Sequence, residues 1–169
     1  MGWDDIEEST GSGADYVKIK ANESVRLYLL DSEPVSFFQH RKKGEIKPQR
    51  CKGANCPYCV SSEYDKRQRF AINSYCFEAK KVQIFEQGKS VFGQIKKTWE
   101  AYEKDLSKSD IIVTKQGDGL NTKYTVVPVP TKFKPDLLAG ASRYDLVKQY
   151  GVALTVPYVE EEPPLGEPQ

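Results

Sequence analysis

Four candidate metal ligands lie within twenty residues of one another in the first half of the chain. They are His40, Cys51, Cys56 and Cys59, with the spacing His-x10-Cys-x4-Cys-x2-Cys. The Cys56-Pro-Tyr-Cys59 pair lets one tight turn present two thiolates to the same ion, and His40 is the single histidine of the sequence. Three thiolates and one imidazole suit the tetrahedral coordination of structural Zn²⁺. The pattern therefore predicts a zinc site that organises this stretch.

The remaining cysteine, Cys76, provides an alternative ligand. It could replace His40 in an all-cysteine site. However, Cys76 falls inside the alternating stretch 69–77, which is typical of a strand and favours a packed core thiol. The sequence therefore favours His40 as the fourth ligand. The competing interpretation is that the cysteines are small buried apolar residues and that His40 is incidental.

The predicted metal site has no features of a catalytic centre. A catalytic zinc usually keeps one position for water and has a general acid or base nearby, whereas four protein donors close the shell. Zinc deaminases need His-x-Glu with Pro-Cys-x-x-Cys, but this chain has His40-Arg41-Lys42 and Cys56-Pro-Tyr-Cys59. The sequence also has no nucleotide-phosphate loop and no complete Ser-His-Asp set. We therefore expect a structural metal and no enzymatic activity.

The charge of the chain is distributed unevenly. Residues 1–16 carry five acids and no Lys or Arg, residues 17–132 have a net charge of +9, and residues 133–169 have a net charge of −3. A basic middle between acidic ends predicts that the chain binds a polyanion and that its own acidic ends compete for the same basic surface. No apolar signal segment and no run of about 18 apolar residues is present, so no membrane partner is expected. Cysteines without a secretory signal indicate a reducing compartment.

Hydrophobic periodicity predicts a mainly β fold. We expect strands over 17–31, 35–40, 45–50, 69–77, 81–86, 110–115 and 123–129, a linker or helix over 61–66, and a helix over 89–104. A second helix is expected from Ser142, with Ser142-x-x-Asp145 as a capping box and Gly151 after its end. Short strands interrupted by one helix predict an OB-fold-like antiparallel barrel, although strand count does not separate this fold from other small barrels.

The predicted domain organisation is a single core with acidic ends. The core spans 16–157 and includes a zinc subdomain at about 35–66. Residues 1–15 form an acidic N-terminus and residues 158–169 an acidic tail; both lack apolar periodicity and are expected to be flexible and disordered.

The zinc segment is rich in basic and aromatic residues. The candidate phosphate contacts are Arg41, Lys42, Lys43, Lys47, Arg50, Lys52, Lys66, Arg67 and Arg69. Tyr28, Tyr64 and Tyr75 are the preferred base-stacking candidates because a hydroxyl tolerates water. Cations follow the phosphates and ring faces stack on unpaired bases, at about 1–3 kcal/mol per base. The segment therefore predicts sequence-tolerant binding of single-stranded nucleic acid.

Several motifs resemble those of the zinc-containing single-stranded-DNA-binding proteins of tailed bacteriophages. They are the ligand pattern, KRQRFAIN at 66–73, VQIFE at 82–86 before GKSVF at 88–92, and DIIVT at 110–114 before GLNTKYTV at 119–126. Together they cover about residues 17–130. The resemblance implies an OB-fold with a zinc subdomain that coats exposed DNA during replication, recombination and repair, in the cytoplasm of an infected host cell.

The resemblance also implies roles for the chain ends. An acidic C-terminal tail, here with Glu160, Glu161 and Glu162, would contact replication or recombination proteins and compete with DNA. Such proteins use a basic N-terminal arm for cooperative self-contact, which has no counterpart here because the first residues are acidic. Two other functions stay open on the sequence: a zinc-stabilised protein-interaction module and an RNA-binding accessory factor.

Overall fold

The computed structural model describes residues 13–45 and 47–154, without the side chain of Val152. The predicted tail residues Glu160, Glu161 and Glu162 and most of the acidic N-terminus lie outside these ranges. Asp15 belongs to the N-terminal segment that was expected to be flexible, but it is attached to the sheet. Its carbonyl oxygen accepts a hydrogen bond from the Ile84 N–H at 2.8 Å. None of the described helices has the length and the apolar run that a membrane span requires.

Across the described residues, seven strands form one antiparallel sheet, and three α-helices accompany it. The strands are β1 (Ser24–Leu29), β2 (Val35–Lys42), β3 (Gln49–Arg50), β4 (Tyr64–Cys76), β5 (Lys81–Gly88), β6 (Ser109–Gln116) and β7 (Lys123–Pro130). The helices are α1 (Pro57–Val60), α2 (Lys89–Ala101) and α3 (Leu146–Tyr150). The mainly β, antiparallel prediction is therefore confirmed.

Strand β4 is the centre of the sheet. One of its edges pairs first with β2 and then with β1, and its other edge pairs with β5. The strand order is β3-β2-β4-β1-β6-β7, with β5 attached to β4. Among the described residues, β7 at one end of this order pairs with neither β3 nor β5. The sheet is therefore open where the sequence predicted a barrel.

Both faces of the central strands are buried. One apolar cluster lies between the sheet and α2 and contains Leu27, Ile72, Phe85, Phe92 and Ile111. A second cluster joins Phe37, Ala71 and Ile84, whose side chains lie on the opposite face of the sheet, to residues of α3 and of the metal segment. Neighbouring residues such as Ala71 and Ile72 enter different clusters because side chains alternate along a strand.

The largest differences from the predicted elements occur at four places. β1 begins at Ser24, after a turn in which Asn22 has φ +61°, rather than at residue 17. The second arm of the first hairpin shortens to Gln49–Arg50, directly after Pro48, which has no N–H for a strand ladder. The predicted linker or helix at 61–66 is replaced by α1 upstream and by the start of β4 at Tyr64.

The fourth difference is the start of the C-terminal helix. Asp145, not Ser142, is the N-cap of α3, because its carboxylate accepts a hydrogen bond from the Lys148 N–H at 3.1 Å. Gly151 follows the helix as predicted. The sequence pattern therefore predicted the end of α3 correctly, but it predicted a start about one turn before the observed one.

Candidate metal centre and the surrounding surface

The four predicted ligands converge on one point. Their donor atoms all lie within 4.8 Å of one another. The Cys51 and Cys59 Sγ atoms are 3.6 Å apart, and the His40 Nε2 atom is 3.6 Å from Cys56 Sγ and 3.4 Å from Cys59 Sγ. Tetrahedral Zn²⁺ with ordinary bond lengths requires S–S separations of about 3.8 Å and S–N separations of about 3.5 Å. The cluster could therefore hold one metal ion of this size.

Local backbone structure positions the three thiols. The β2–β3 pairing brings Cys51 back beside β2, where its N–H donates to the Phe38 carbonyl at 3.1 Å. Gly53 then turns the chain with φ +87°, a conformation that favours glycine. The Cys56 N–H donates to the Gly53 carbonyl at 3.2 Å, and the α1 turn returns Cys59 to the same point, with its N–H donating to the Cys56 carbonyl.

His40 is oriented through its second ring nitrogen. The side chain is fully buried, and Nδ1 lies 3.0 Å from the Asp65 carbonyl oxygen. A carbonyl acceptor requires the proton on Nδ1, which leaves Nε2 with a free lone pair directed at the thiols. This is the arrangement that metal-bound histidines adopt.

The pKa values of the Cys56 and Cys59 thiols are shifted in opposite directions. Burial acts to raise the pKa of Cys56, but hydrogen bonds from the backbone of Lys52, Cys59 and Tyr58 outweigh it and lower the pKa to about 6. Burial and the neighbouring Cys51 and Cys56 sulfurs raise the pKa of Cys59 to about 11. A bound divalent cation would favour the thiolate form of every one of these sulfurs, because all of them would share its positive charge.

Cys76 does not belong to the metal cluster. It is 3% exposed and packs in the cluster between the sheet and α2, where burial raises the pKa of its thiol. The structure therefore favours the ligand set with His40 over the all-cysteine alternative.

Strands β2 and β4 separate the predicted basic residues onto two faces, because paired residues of antiparallel strands share a face. We call one side the metal face; it carries Ser36, Phe38, His40, Lys42, Tyr64, Lys66, Gln68 and Phe70. The opposite face carries Val35, Phe37, Gln39, Arg41, Asp65, Arg67, Arg69 and Ala71. The predicted cations of these two strands therefore do not form one continuous surface.

Cations and aromatic rings meet on the metal face. The Lys66 Nζ atom lies 4.3 Å from the centre of the Phe38 ring. The Tyr58 and Tyr64 ring centres are 4.7 Å apart, and the Lys52 Nζ atom lies 5.4 Å from the Tyr58 centre. Phe38 and Tyr58 were not among the predicted contacts, although alternation from His40 could have placed Phe38 on this side.

Other predicted cations have acidic neighbours. Lys42 lies 3.8 Å from Glu45 and 3.6 Å from Glu63, and Arg67 lies 3.1 Å from Asp65. Such solvent-exposed ion pairs contribute only about 0–1 kcal/mol, so they do not prevent these side chains from meeting a phosphate. The remaining predicted cations of the β2–β3 hairpin, Arg41, Lys43 and Lys47, are exposed.

Arg50 and Arg69 have intramolecular partners. Arg50 donates to the Gln149 carbonyl and to the Tyr16 hydroxyl, both at 2.9 Å, and its guanidinium carbon lies 4.4 Å from the Tyr150 ring centre. It therefore joins the metal segment to α3. Arg69 is partly buried, 3.9 Å from Glu86. These contacts give both residues a structural role, and their phosphate contacts stay a prediction.

Two of the predicted stacking tyrosines are distant from the metal face. Tyr28 and Tyr75 pair with each other on the opposite face of the sheet. The Tyr28 ring stacks on Phe133 with centres 4.1 Å apart, and Tyr75 is only 4% exposed. Tyr75 therefore offers no free ring face to a base, and Tyr64 is the predicted stacking residue that adjoins the metal cluster.

Comparisons with protein-family models, with curated proteins and with solved structures found no match to this chain.

Proposed function

We propose that this protein binds single-stranded DNA on the metal face without strong sequence preference. The observation that carries the proposal is the alternation of cations and rings beside the metal cluster, Lys66 on Phe38 and Lys52 on the Tyr58–Tyr64 pair. Unpaired bases stack on such rings and the cations neutralise phosphates. Duplex DNA hides its base faces and cannot use the rings in this way.

The proposed metal is Zn²⁺ in a structural role. Three thiolates and one imidazole are the donors that zinc prefers, and the donor separations fit a tetrahedral ion. Four protein donors leave no coordination position for water. The ion would hold the β2–β3 hairpin and α1 in place, so that Tyr58 and Lys52 face β4.

The proposed fold is an OB-fold with the metal segment inserted in its first connection. β1 and β2 pair with the same edge of β4, so together they act as one bent strand. With β3 assigned to the inserted metal segment, five strands remain, with α2 between β5 and β6, and this order is that of the five-stranded, partly open OB barrel. The proposal extends to the phage-type role implied by the motifs: coating exposed strands during replication, recombination and repair in an infected host cell, with partners bound by the tail.

The direct test is a titration with oligo(dT), duplex DNA and RNA of matched length, with the metal content of the protein measured in parallel. We expect one bound Zn²⁺ per chain and a preference for oligo(dT) that weakens as salt increases, because phosphate contacts release counterions. Equal affinity for the duplex would contradict base stacking. Preference for RNA would support the accessory-factor alternative, and no affinity for any of the three would favour a protein partner.

A further inference from the structure

A groove of about 700 Å³ opens between α2 and the connection from β1 to β2. Its apolar wall includes Phe70, Ile72 and Phe92, and Trp99 lines it nearer the helix end. The volume lies within the range of about 300–1,000 Å³ that is typical of small-ligand pockets. A cavity with these walls is therefore large enough to admit a planar aromatic group.

Gly93 leaves open space on the helix side of the groove. Lys89, Gly93 and Lys96 all line the groove, as expected for helix residues spaced by three or four positions. A Cβ atom added at Gly93 would meet nothing within 4 Å. Glycine inside a helix costs about 1 kcal/mol relative to alanine, so helix propensity does not account for this residue.

The groove is continuous with the metal face. Phe70 belongs to that face, and alternation along β4 places Ile72 on the same side. From Ile72 the side chains of this face lead through Phe70, Gln68 and Lys66 to Tyr64 beside the metal cluster. At about 3.4 Å per strand residue this path is about 27 Å long. A strand bound at the metal cluster could therefore reach the groove without leaving the surface.

We propose that the groove holds one unpaired base of the bound DNA strand, stacked on Trp99, with Lys89 and Lys96 beside the flanking phosphates. This inference rests on the proposed function and extends the binding path from the metal cluster to α2. Trp99 is a partly exposed ring that lines the groove, whereas Phe92 is 6% exposed and already packs on Phe70 with ring centres 5.4 Å apart. Lys104 lies 5.7 Å from the Trp99 ring centre.

The acids at the rim explain why a base rather than a phosphate enters. Asp31, Glu33 and Asp105 line the groove. Asp31 accepts a hydrogen bond from Asn73 Nδ2 at 3.0 Å and lies 3.3 Å from Arg143, and Asp105 accepts from the Ser107 N–H at 2.8 Å. These carboxylates repel a phosphate, but they are acceptors for the N–H groups of a base. Phosphates would remain on the side of Lys89 and Lys96.

Gly93→Phe provides the test, because the position lines the groove and has open space around an added Cβ atom, and Gly93→Ala is the matched control that adds only a methyl group. Loss of one stacked base should weaken oligo(dT) binding by roughly 5- to 150-fold in Gly93→Phe and leave Gly93→Ala near the unaltered protein. Metal content should be unchanged in both variants. Equal affinity of Gly93→Phe and the unaltered protein would overturn the groove proposal while leaving the proposed function intact.

Trp99 fluorescence gives an independent readout that does not depend on the folding of Gly93→Phe. The sequence contains two tryptophans, Trp3 and Trp99, so Trp3→Phe leaves Trp99 as the single emitter. Oligo(dT) should quench this emission through base stacking. Binding without any change in Trp99 emission would overturn the proposal, and absence of oligo(dT) binding by the unaltered protein would overturn the proposed function together with it.

Discussion

His40 and the three clustered cysteines are held by contacts that differ from residue to residue. His40 is oriented by the Asp65 carbonyl, and Cys56 by backbone hydrogen bonds that lower its thiol pKa. Cys59 is exposed as a residue, but its sulfur lies 3.6 Å from the Cys51 sulfur, and its thiol pKa is higher than that of Cys56. Because a metal ion must collect all four donors, the free energy of metal binding becomes part of the free energy of folding.

Replacing one ligand should therefore remove the metal and destabilise the protein. We expect Cys56→Ala to lose bound zinc and to lower the melting temperature, whereas Cys76→Ala, which alters a buried thiol outside the cluster, keeps a full metal content. Metal stoichiometry and thermal unfolding of both variants measure this. Retention of stoichiometric metal by Cys56→Ala would argue against the four-donor site.

Lys66 and Arg67 provide a paired test at neighbouring positions, because they lie on opposite faces of β4. Lys66→Ala should weaken oligo(dT) binding and reduce the slope of log K against log salt by about 0.7, the value for one phosphate contact on a single strand. Arg67→Ala should have the smaller effect. Binding isotherms at several salt concentrations measure both slopes, and a larger effect at Arg67 would place the DNA on the opposite face.

At the scale of elements, α3 is anchored mainly through Tyr150. Its ring stacks on Phe37 with centres 4.3 Å apart, and its hydroxyl donates to the Glu86 carboxylate at 2.6 Å. The helix has only five residues, so it is too short to be stable by itself. Its position therefore depends on these tertiary contacts and on Arg50.

The Tyr150 anchor predicts a pH dependence at alkaline pH. Burial and the adjacent Glu86 raise the pKa of Tyr150 above its usual value of about 10. The folded state therefore disfavours the phenolate, so this contribution to stability is complete below about pH 10 and decreases as the pH rises further. Tyr150→Phe should cost about 1.5–3 kcal/mol at pH 8 through the lost hydrogen bond and should decline less steeply above pH 10. Urea unfolding at several pH values measures both effects, and identical pH profiles would contradict this assignment.

For the whole molecule, the metal cluster and the C-terminal elements form one packed unit. Cys51 and Cys56 belong to the same apolar cluster as Leu146 and Tyr150, and Arg50 links the metal segment to α3. The cluster between the sheet and α2 shares no buried residue with this unit. Disturbing the metal site should therefore affect the cluster that contains Cys51 and Cys56 before it affects the cluster beside α2.

Metal removal should loosen α3 as well as the metal segment. With a chelator present, we expect faster amide hydrogen exchange in residues 144–154, while exchange in the β6–β7 hairpin stays near its metal-bound rate. Mass-spectrometric hydrogen exchange with and without added Zn²⁺ measures this difference. A uniform increase across the sheet would instead indicate global unfolding, and unchanged exchange at 144–154 would show that α3 is independent of the metal.

The features that sequence alone determined are local ones. The four ligands are close in the chain, so spacing and donor chemistry predicted their convergence, and the 3.6-residue periodicity predicted α2 within three residues of its observed end. The β6–β7 hairpin followed from alternation around Gly117 in the same way. Each of these signals depends on residues that are neighbours in sequence.

Tertiary structure decided which residues share a surface. Alternation alone does not say which face of a strand is covered. Only the pairing of β2, β3 and β4 shows that Lys66 and Arg67 lie on separate surfaces, that Tyr75 is buried and that Arg50 contacts α3. The groove at Gly93 likewise depends on the distance between α2 and the β1–β2 connection. These relations join residues far apart in the chain, and only the packed sheet and its two apolar clusters determine them.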